Sequence, residues 1–307
     1  MRLWWLAGLL IASINAHAQV TVLTSIKPLQ LIAAAITDGV SAPEVLLPVG
    51  ASHHQYTLKP SDAVKLKQAD VIFWVGPTLE TFLTKSLSSS DYVHKSVVLI
   101  DSKGLQLREY KEHHHDEDEH SEAKHTDENR LMTDPHIWLL PANAGVIAKV
   151  MAEKLSAIDS ANKDRYQQNY DQFMTALNQA DRQVANTLAP VKADGYIVLH
   201  DGYGYFEEHY GLNHQGELTL SPERAPGAKH LSEIEQLIKK GNVECVFGEP
   251  QFQPRYLDSL IEQLGVKRGT VDYLASDVIV DKTGYSHFLG NLANQFYGCL
   301  SASPSVK

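Results

Sequence analysis

The sequence predicts an α/β protein: two α/β lobes with mostly parallel sheets, joined by one long backbone helix. Three observations carry that expectation. Apolar strand runs alternate with helical patterns over residues 20–100, the same alternation returns over 196–299, and between the two lies one helical stripe longer than an ordinary crossover helix. The chain has 307 residues, room for two domains of ordinary size, and 43% are hydrophobic, enough for real cores.

The elements follow in order. Arg2, the apolar run Leu3–Ile14 and the Ala16-His17-Ala18 triplet have the build of a secretory signal peptide over residues 1–18. The apolar run is short for a membrane span, so an exported chain beginning at Gln19 is expected. Val20 to Ile26 reads as a buried strand, and Pro28 opens a helix through Ile36. Glu44 to Val49 is a second strand, running into the loop GASHHQYTLKP at residues 50–60, after which Ser61 and Asp62 start a short helix. Asp70–Val75 and Val97–Ile100 are strands around a helix at Leu79–Leu87. Pro141 opens a helix to about Leu155.

The joining helix is read at Ser160–Leu188. Tyr166, Tyr170, Phe173, Leu177, Ala180, Val184 and Leu188 recur at spacings of four and three and share one face, with Ser160 as N-cap, Asp164 in the first turn and Pro190 past the end. Its 29 positions span roughly 43 Å at 1.5 Å per residue. Beyond it, strands are expected at Tyr196–His200, Glu217–Leu220, Val243–Gly248 and Val266–Val271, with helices at Tyr203–Tyr210, Leu231–Lys240, Pro254–Leu264 and Tyr285–Cys299. The expected division is a signal peptide at 1–18, an N-terminal lobe at 19–155, the connecting helix at 156–190 and a C-terminal lobe at 191–307. No internal repeat stands out in the residues themselves.

Composition narrows the function. A formal charge of −10 argues against a nucleic-acid partner, and 15 histidines point to metal. Residues 112–128, EHHHDEDEHSEAKHTDE, interleave His113, His114, His115, His120 and His125 with carboxylates and have no apolar periodicity. That is a metal-binding composition that cannot pack a core, suited to weak accessory sites. Other metal-capable side chains fall at strand ends or loop starts: His53 and His54 after the second strand, His136 in DPHIW, His200 closing YIVLH, and Asp272 after GTV. Histidines split between two halves at strand termini fit a cleft site, because ligands in parallel sheets sit beyond the strands' carboxyl ends. Cys245 and Cys299 are the two cysteines; export permits a disulfide, and two buried thiols are the alternative.

GASHHQYTLKPSD, DPHIWL, HDGYGYFEEHYGL, PGA, CVFGEPQF and GYSHFLGNLANQFYGCL resemble the zinc-receptor proteins of bacterial ABC importers, within the wider cluster of zinc and manganese receptors. The resemblance covers nearly the whole chain beyond the leader and includes the histidine-rich insertion and the two cysteines. It implies a periplasmic, non-enzymatic, monomeric receptor that holds Zn²⁺ between its lobes and passes it to a membrane permease with an associated ATPase. The family's ligands fall on His54, His136 and His200, with Asp272 as the nearby carboxylate. Some members use an acidic residue just before the first histidine; His53 stands there in this chain, so the fourth ligand is Asp272, water or His53. His94, His209, His214, His230 and His287 match no motif position.

Three other readings compete, one of them a histidine-rich metal buffer with the 112–128 loop as its working part. Manganese receptors of this fold resemble one another in carrying glutamate where this chain has His200. An exported zinc-dependent hydrolase would also use three protein ligands, but HExxH is absent.

Overall fold

The computed structural model describes residues 19–53, 56–109, 133–219, 226–241, 243–252 and 255–301. The expected signal peptide at 1–18 and the histidine-rich stretch at 112–128 lie outside them. The first lobe runs β1 (Val22–Thr24), α1 (Lys27–Ile36), β2 (Glu44–Val45), α2 (Pro60–Gln68), β3 (Val71–Trp74), α3 (Thr81–Leu87) and β4 (Ser96–Val98). Then come α4 (Pro141–Ile158) and the long α5 (Lys163–Leu188). The second lobe runs β5 (Tyr196–Val198), α6 (Gly204–Tyr210), β6 (His214–Glu217), α7 (Ala228–Lys239), β7 (Cys245–Gly248), α8 (Arg255–Leu264), β8 (Lys267–Thr270) and α9 (Gly284–Leu300).

Both sheets are parallel and share one strand order, β2-β1-β3-β4 and β6-β5-β7-β8. In each, the chain starts inside the sheet, steps to one edge and then crosses to the other side. The crossing places a crevice beyond the carboxyl ends of β1 and β3, and of β5 and β7, where ligands bind in open α/β sheets. Side chains are buried on both faces of the inner strands. Leu23, Ile72 and Trp74 pack outward with Leu66, Leu83 and Leu87. Ile197, Leu199 and Val246 pack outward with Ile234, Leu257 and Ile261. The inner faces of both sheets meet a single continuous core that includes α1, α4, α5 and α9.

Helix α5 buries Tyr166, Phe173, Leu177, Ala180, Val184 and Leu188 against α1, α4 and α9, with Tyr170 half-buried. Each fully buried large side chain contributes roughly 1.5–3 kcal/mol, so the stripe fixes the helix to both lobes. Its start differs from the sequence expectation. Residues 160–162 form a 3₁₀ turn, and Asn162, not Ser160, is the N-cap. The corner is held by the Asp159 carboxylate, which accepts from Asn162 Nδ2 and Tyr166 Oη, both at 2.8 Å.

Two strands are also displaced. β2 ends at Val45, although Leu46 and Leu47 still donate to Thr24 and Ser25; Pro48 then has no N–H to continue the ladder. β6 lies at His214–Glu217, ahead of the apolar Glu217–Leu220 run, because pairing with β5 sets its register. Cys245 and Cys299 are joined, Cα atoms 6.2 Å apart, tying β7 to α9 across 54 residues. No helix among the described residues is long and apolar enough to cross a membrane.

Candidate metal centre

Two histidines, one delivered by each half of the chain, meet beyond the strand ends. β5 and β7 are neighbours in register, Val198 opposite Phe247. Carrying that register two residues on sets His200 opposite Glu249, and His200 Nδ1 lies 2.5 Å from Glu249 Oε1. Tyr203 Oη donates to the same oxygen at 3.3 Å and to Val271 O at 3.2 Å. Both partners are buried, Glu249 at 1% exposure, so the carboxylate's work is with the imidazole and not with water.

His136 arrives differently. Asp134 Oδ1 accepts both the backbone N–H of His136, at 2.9 Å, and its ring Nδ1–H, at 2.8 Å. Pro135 restricts Asp134 to extended backbone, Ile137 N donates back to Pro135 O at 2.8 Å, and a 3₁₀ turn at Ile137–Leu139 carries the chain into α4. Trp138 in that turn is fully buried; its Nε1 donates to Tyr273 O at 2.9 Å, and its carbonyl accepts from Tyr285 Oη at 2.6 Å. These bonds fix His136 to the second lobe as well as the first.

With each Nδ1 engaged by a carboxylate, Nε2 is the nitrogen each ring could offer to a metal, the arrangement that metal-binding histidines use. The ring centroids are 5.5 Å apart. His136 Nε2 is buried and has no hydrogen-bond partner among the described residues. A Cβ built on Gly202 would overlap His200 Nε2 and lie 3.3 Å from His136 Nε2. Glycine at 202 therefore preserves the space onto which both nitrogens face. Burial alone would push the His200 imidazole down, but the Glu249 charge and hydrogen bond, with Asp201 and Asp134, together hold it above the ordinary histidine value. Burial likewise acts upward on Asp134, and His136 and Arg108 outweigh it, holding the carboxyl below its usual range.

The remaining expected residues fall as follows. His53 is fully buried, its ring 6.1 Å from His136 and 5.9 Å from Tyr273. His54 lies outside the described residues, as do His113, His114, His115, His120 and His125. Asp272 is buried, but its carboxylate already accepts from Gln251 Nε2 at 2.9 Å, Leu274 N at 3.1 Å and Ser276 N at 2.5 Å. That pattern closes the loop after β8, in which Ala275 takes a left-handed φ of 56°. The residue that this loop turns toward the histidines is Tyr273, whose ring lies 5.9 Å from His53, 5.6 Å from His136 and 5.2 Å from His200.

Sequence reasoning does not single out Asp134, Glu249, Tyr273 or Arg108. Asp134 stands in the DPH motif and Glu249 directly after a four-residue buried strand, and a carboxylate in either position is a usable signal. Of the unassigned histidines, His94 and His287 are exposed, His209 pairs with Asp181 at 2.8 Å, and His230 meets Glu217 O at 2.9 Å. His214 is more embedded: Nδ1 lies 3.2 Å from Glu207 Oε2 and Nε2 2.8 Å from Gly216 O. Burial acts downward there, but Glu207 and the Gly216 carbonyl raise this imidazole to about 9.

The sequence model of the family described as ZnuA, zinc-uptake complex component A periplasmic, matches residues 22–299. The high-affinity zinc uptake system protein ZnuA of Yersinia pestis is 39% identical over 304 residues, covering 96% of this chain and 95% of its own. Its counterpart in Haemophilus ducreyi is 40% identical over 297 residues, covering 94% and 96%. A crystal structure of ZnuA superposes with a TM-score of 0.76 at 23% identity, covering 92% of this chain and 99% of that one. FpvC from Pseudomonas aeruginosa, solved in complex with Mn²⁺, gives 0.75 at 17% identity and the same coverage. At those identities the structures speak to the fold, and the matched sequence speaks to descent: the chain belongs to the ZnuA family of periplasmic zinc-uptake components.

Proposed function

We propose that this protein captures Zn²⁺ in the periplasm and delivers it to an ABC permease and its ATPase, binding the ion as cargo and performing no chemistry on it. The observation that carries this is the convergence of His136 and His200 Nε2 beside Gly202, each ring held from behind by a buried carboxylate. The neighbouring loop at 50–60 completes the site with His54, or with His53, and Asp272 or water takes the fourth position. Two or three neutral imidazoles suit Zn²⁺, which accepts a compact tetrahedron of nitrogen donors. Mn²⁺ prefers oxygen donors and higher coordination and stands low in the Irving–Williams order. The names of the curated relatives, all zinc uptake proteins, support the same cargo. In this reading residues 19–155 and 191–307 are the two lobes, 156–190 the strut between them, the working unit is a monomer, and the histidines of 112–128 gather further Zn²⁺ weakly.

The test is metal analysis and competition titration on untagged protein. One tight Zn²⁺ per chain is expected, preferred over Mn²⁺ by orders of magnitude. His200→Glu exchanges a borderline nitrogen for a hard oxygen donor; it should weaken zinc and narrow the gap to manganese, whereas exposed His94→Glu should do neither. Unchanged selectivity in His200→Glu would remove His200 from the site.

A further inference from the structure

A part-buried arginine crosses between the lobes directly behind the histidine pair. Arg108 belongs to the first lobe and its side chain is 9% exposed. Nη1 lies 2.9 Å from Asp134 Oδ2, Nη2 3.4 Å from Asp201 Oδ2, and Nε 2.9 Å from Glu208 Oε1. Asp134 is the carboxylate that orients His136, Asp201 follows His200 in sequence, and Glu208 lies on α6. The guanidinium rests on the first residue of that helix: a Cβ on Gly204 would overlap it. The backbone is tied at the same place. Arg108 N donates to Tyr205 Oη at 2.9 Å, Tyr205 Oη donates to Asp134 O at 2.9 Å, and Asp134 N donates to Arg108 O at 2.8 Å.

We infer that Arg108 is a positioning residue that latches the two lobes over the metal and sets the rate at which zinc leaves; this rests on the reading that His136 and His200 hold the ion. The two imidazoles come from elements on opposite sides of the junction, so the site opens only when those elements part. Parting them must break, along with the Trp138 bonds to Tyr273 and Tyr285, the Asp201 and Glu208 contacts of a guanidinium that stays with Asp134. A planar, five-donor cation is suited to bridging three carboxylates at once, which the single ammonium of lysine is not. Without the cation, Asp134 and Asp201 face one another with like charge across the junction, which favours separation. Capture is governed by the open form, in which the bridge is already broken, so the latch acts on departure and leaves association nearly untouched.

The experiment measures Zn²⁺ release from the full chain by stopped-flow mixing with excess chelator, and association separately. Arg108→Met should release zinc about tenfold faster, with association changed by less than about threefold. Gly204→Ala keeps the charge and dislodges the guanidinium, so it should accelerate release similarly; it also serves if Arg108→Met folds poorly. Arg108→Lys should fall between. The double variant Arg108→Met/Gly204→Ala should be no faster than Arg108→Met alone, because both act through one contact. Multiplied effects in the double variant, or wild-type release in both single variants, overturn the latch. His136→Ala separates the two failures. If it leaves tight binding intact, the ion is held elsewhere and the latch falls with the site. If it abolishes binding while both latch variants release zinc at the wild-type rate, the site stands and the latch alone is wrong.

Discussion

Glu249→Gln tests whether the carboxylate behind His200 tunes the proposed metal site. The substitution keeps the shape and can keep an oxygen facing His200 Nδ1 and Tyr203 Oη, which approach Glu249 Oε1 at 2.5 and 3.3 Å. It removes the charge. Loss of such a partner costs about 10- to 100-fold in metal affinity, or roughly 1.4–3 kcal/mol. A second cost falls on the fold. Glu249 Oε2 is buried with no hydrogen-bond partner among the described residues, so the amide NH₂ placed there has no acceptor, at about 1–3 kcal/mol. The pH dependence gives a sign. Glu249 supplies the largest upward influence on His200, so in the variant the imidazole loses its proton at lower pH and protons compete less with the metal. Wild type and variant should therefore differ most at about pH 8 and less at about pH 6, where protonation handicaps the wild type. Competition titration with a colorimetric chelator at both pH values measures this. Equal affinities at the higher pH, or a gap that widens on acidification, would refute the account of Glu249.

Two further outcomes concern stability of the metal-free protein. The His214 imidazole is raised to about 9 by Glu207 and Gly216, so its pairing stabilises the fold fully below about pH 6.5 and is lost as pH rises through about 9. The unfolding free energy across that window should fall by no more than about 3.5 kcal/mol, and His214→Gln should flatten the change. Replacing Cys245 and Cys299 with alanine should cost about 2–4 kcal/mol, since the bridge closes 54 residues; a loss below about 1 kcal/mol in the same assay would mean that the reduced unfolded chain is already constrained.

The elements with strong periodicity are legible in the sequence alone. The stripe from Tyr166 to Leu188 and the alternation on either side announce two lobes and a strut, and two of the strand-end histidines, His136 and His200, are ones the fold brings together. What stays hidden depends on partners distant in sequence. Nothing near His200 names Glu249; a parallel register of β5 and β7 brings them together across 49 residues. Arg108 looks like one more charge in a polar stretch until the fold sets it among Asp134, Asp201 and Glu208. Tyr273 follows an aspartate with the more obvious metal chemistry, and only the turn held by the Asp272 carboxylate shows that the ring is what meets the imidazoles. The Ser160 cap fails for a local reason, because the adjacent Asp159 gathers the donors at that corner.

The position of α9 has a consequence for how the chain is made. Its first residue lies against Leu31 of α1, where a Cβ on Gly284 would come within 2.9 Å of the leucine side chain, and α9 also covers α5. α1 leaves the ribosome early and α9 last among the described elements. The first sheet is complete in sequence once β4 has been made, yet α4 and α5 cover only part of α1, and the part that meets α9 stays uncovered until nearly all the rest has emerged. The first lobe therefore completes its packing only when the last helix arrives, unlike an independent domain. The nascent chain must carry that exposed surface throughout synthesis, and the same late helix that covers it also brings the cysteine that locks the second sheet.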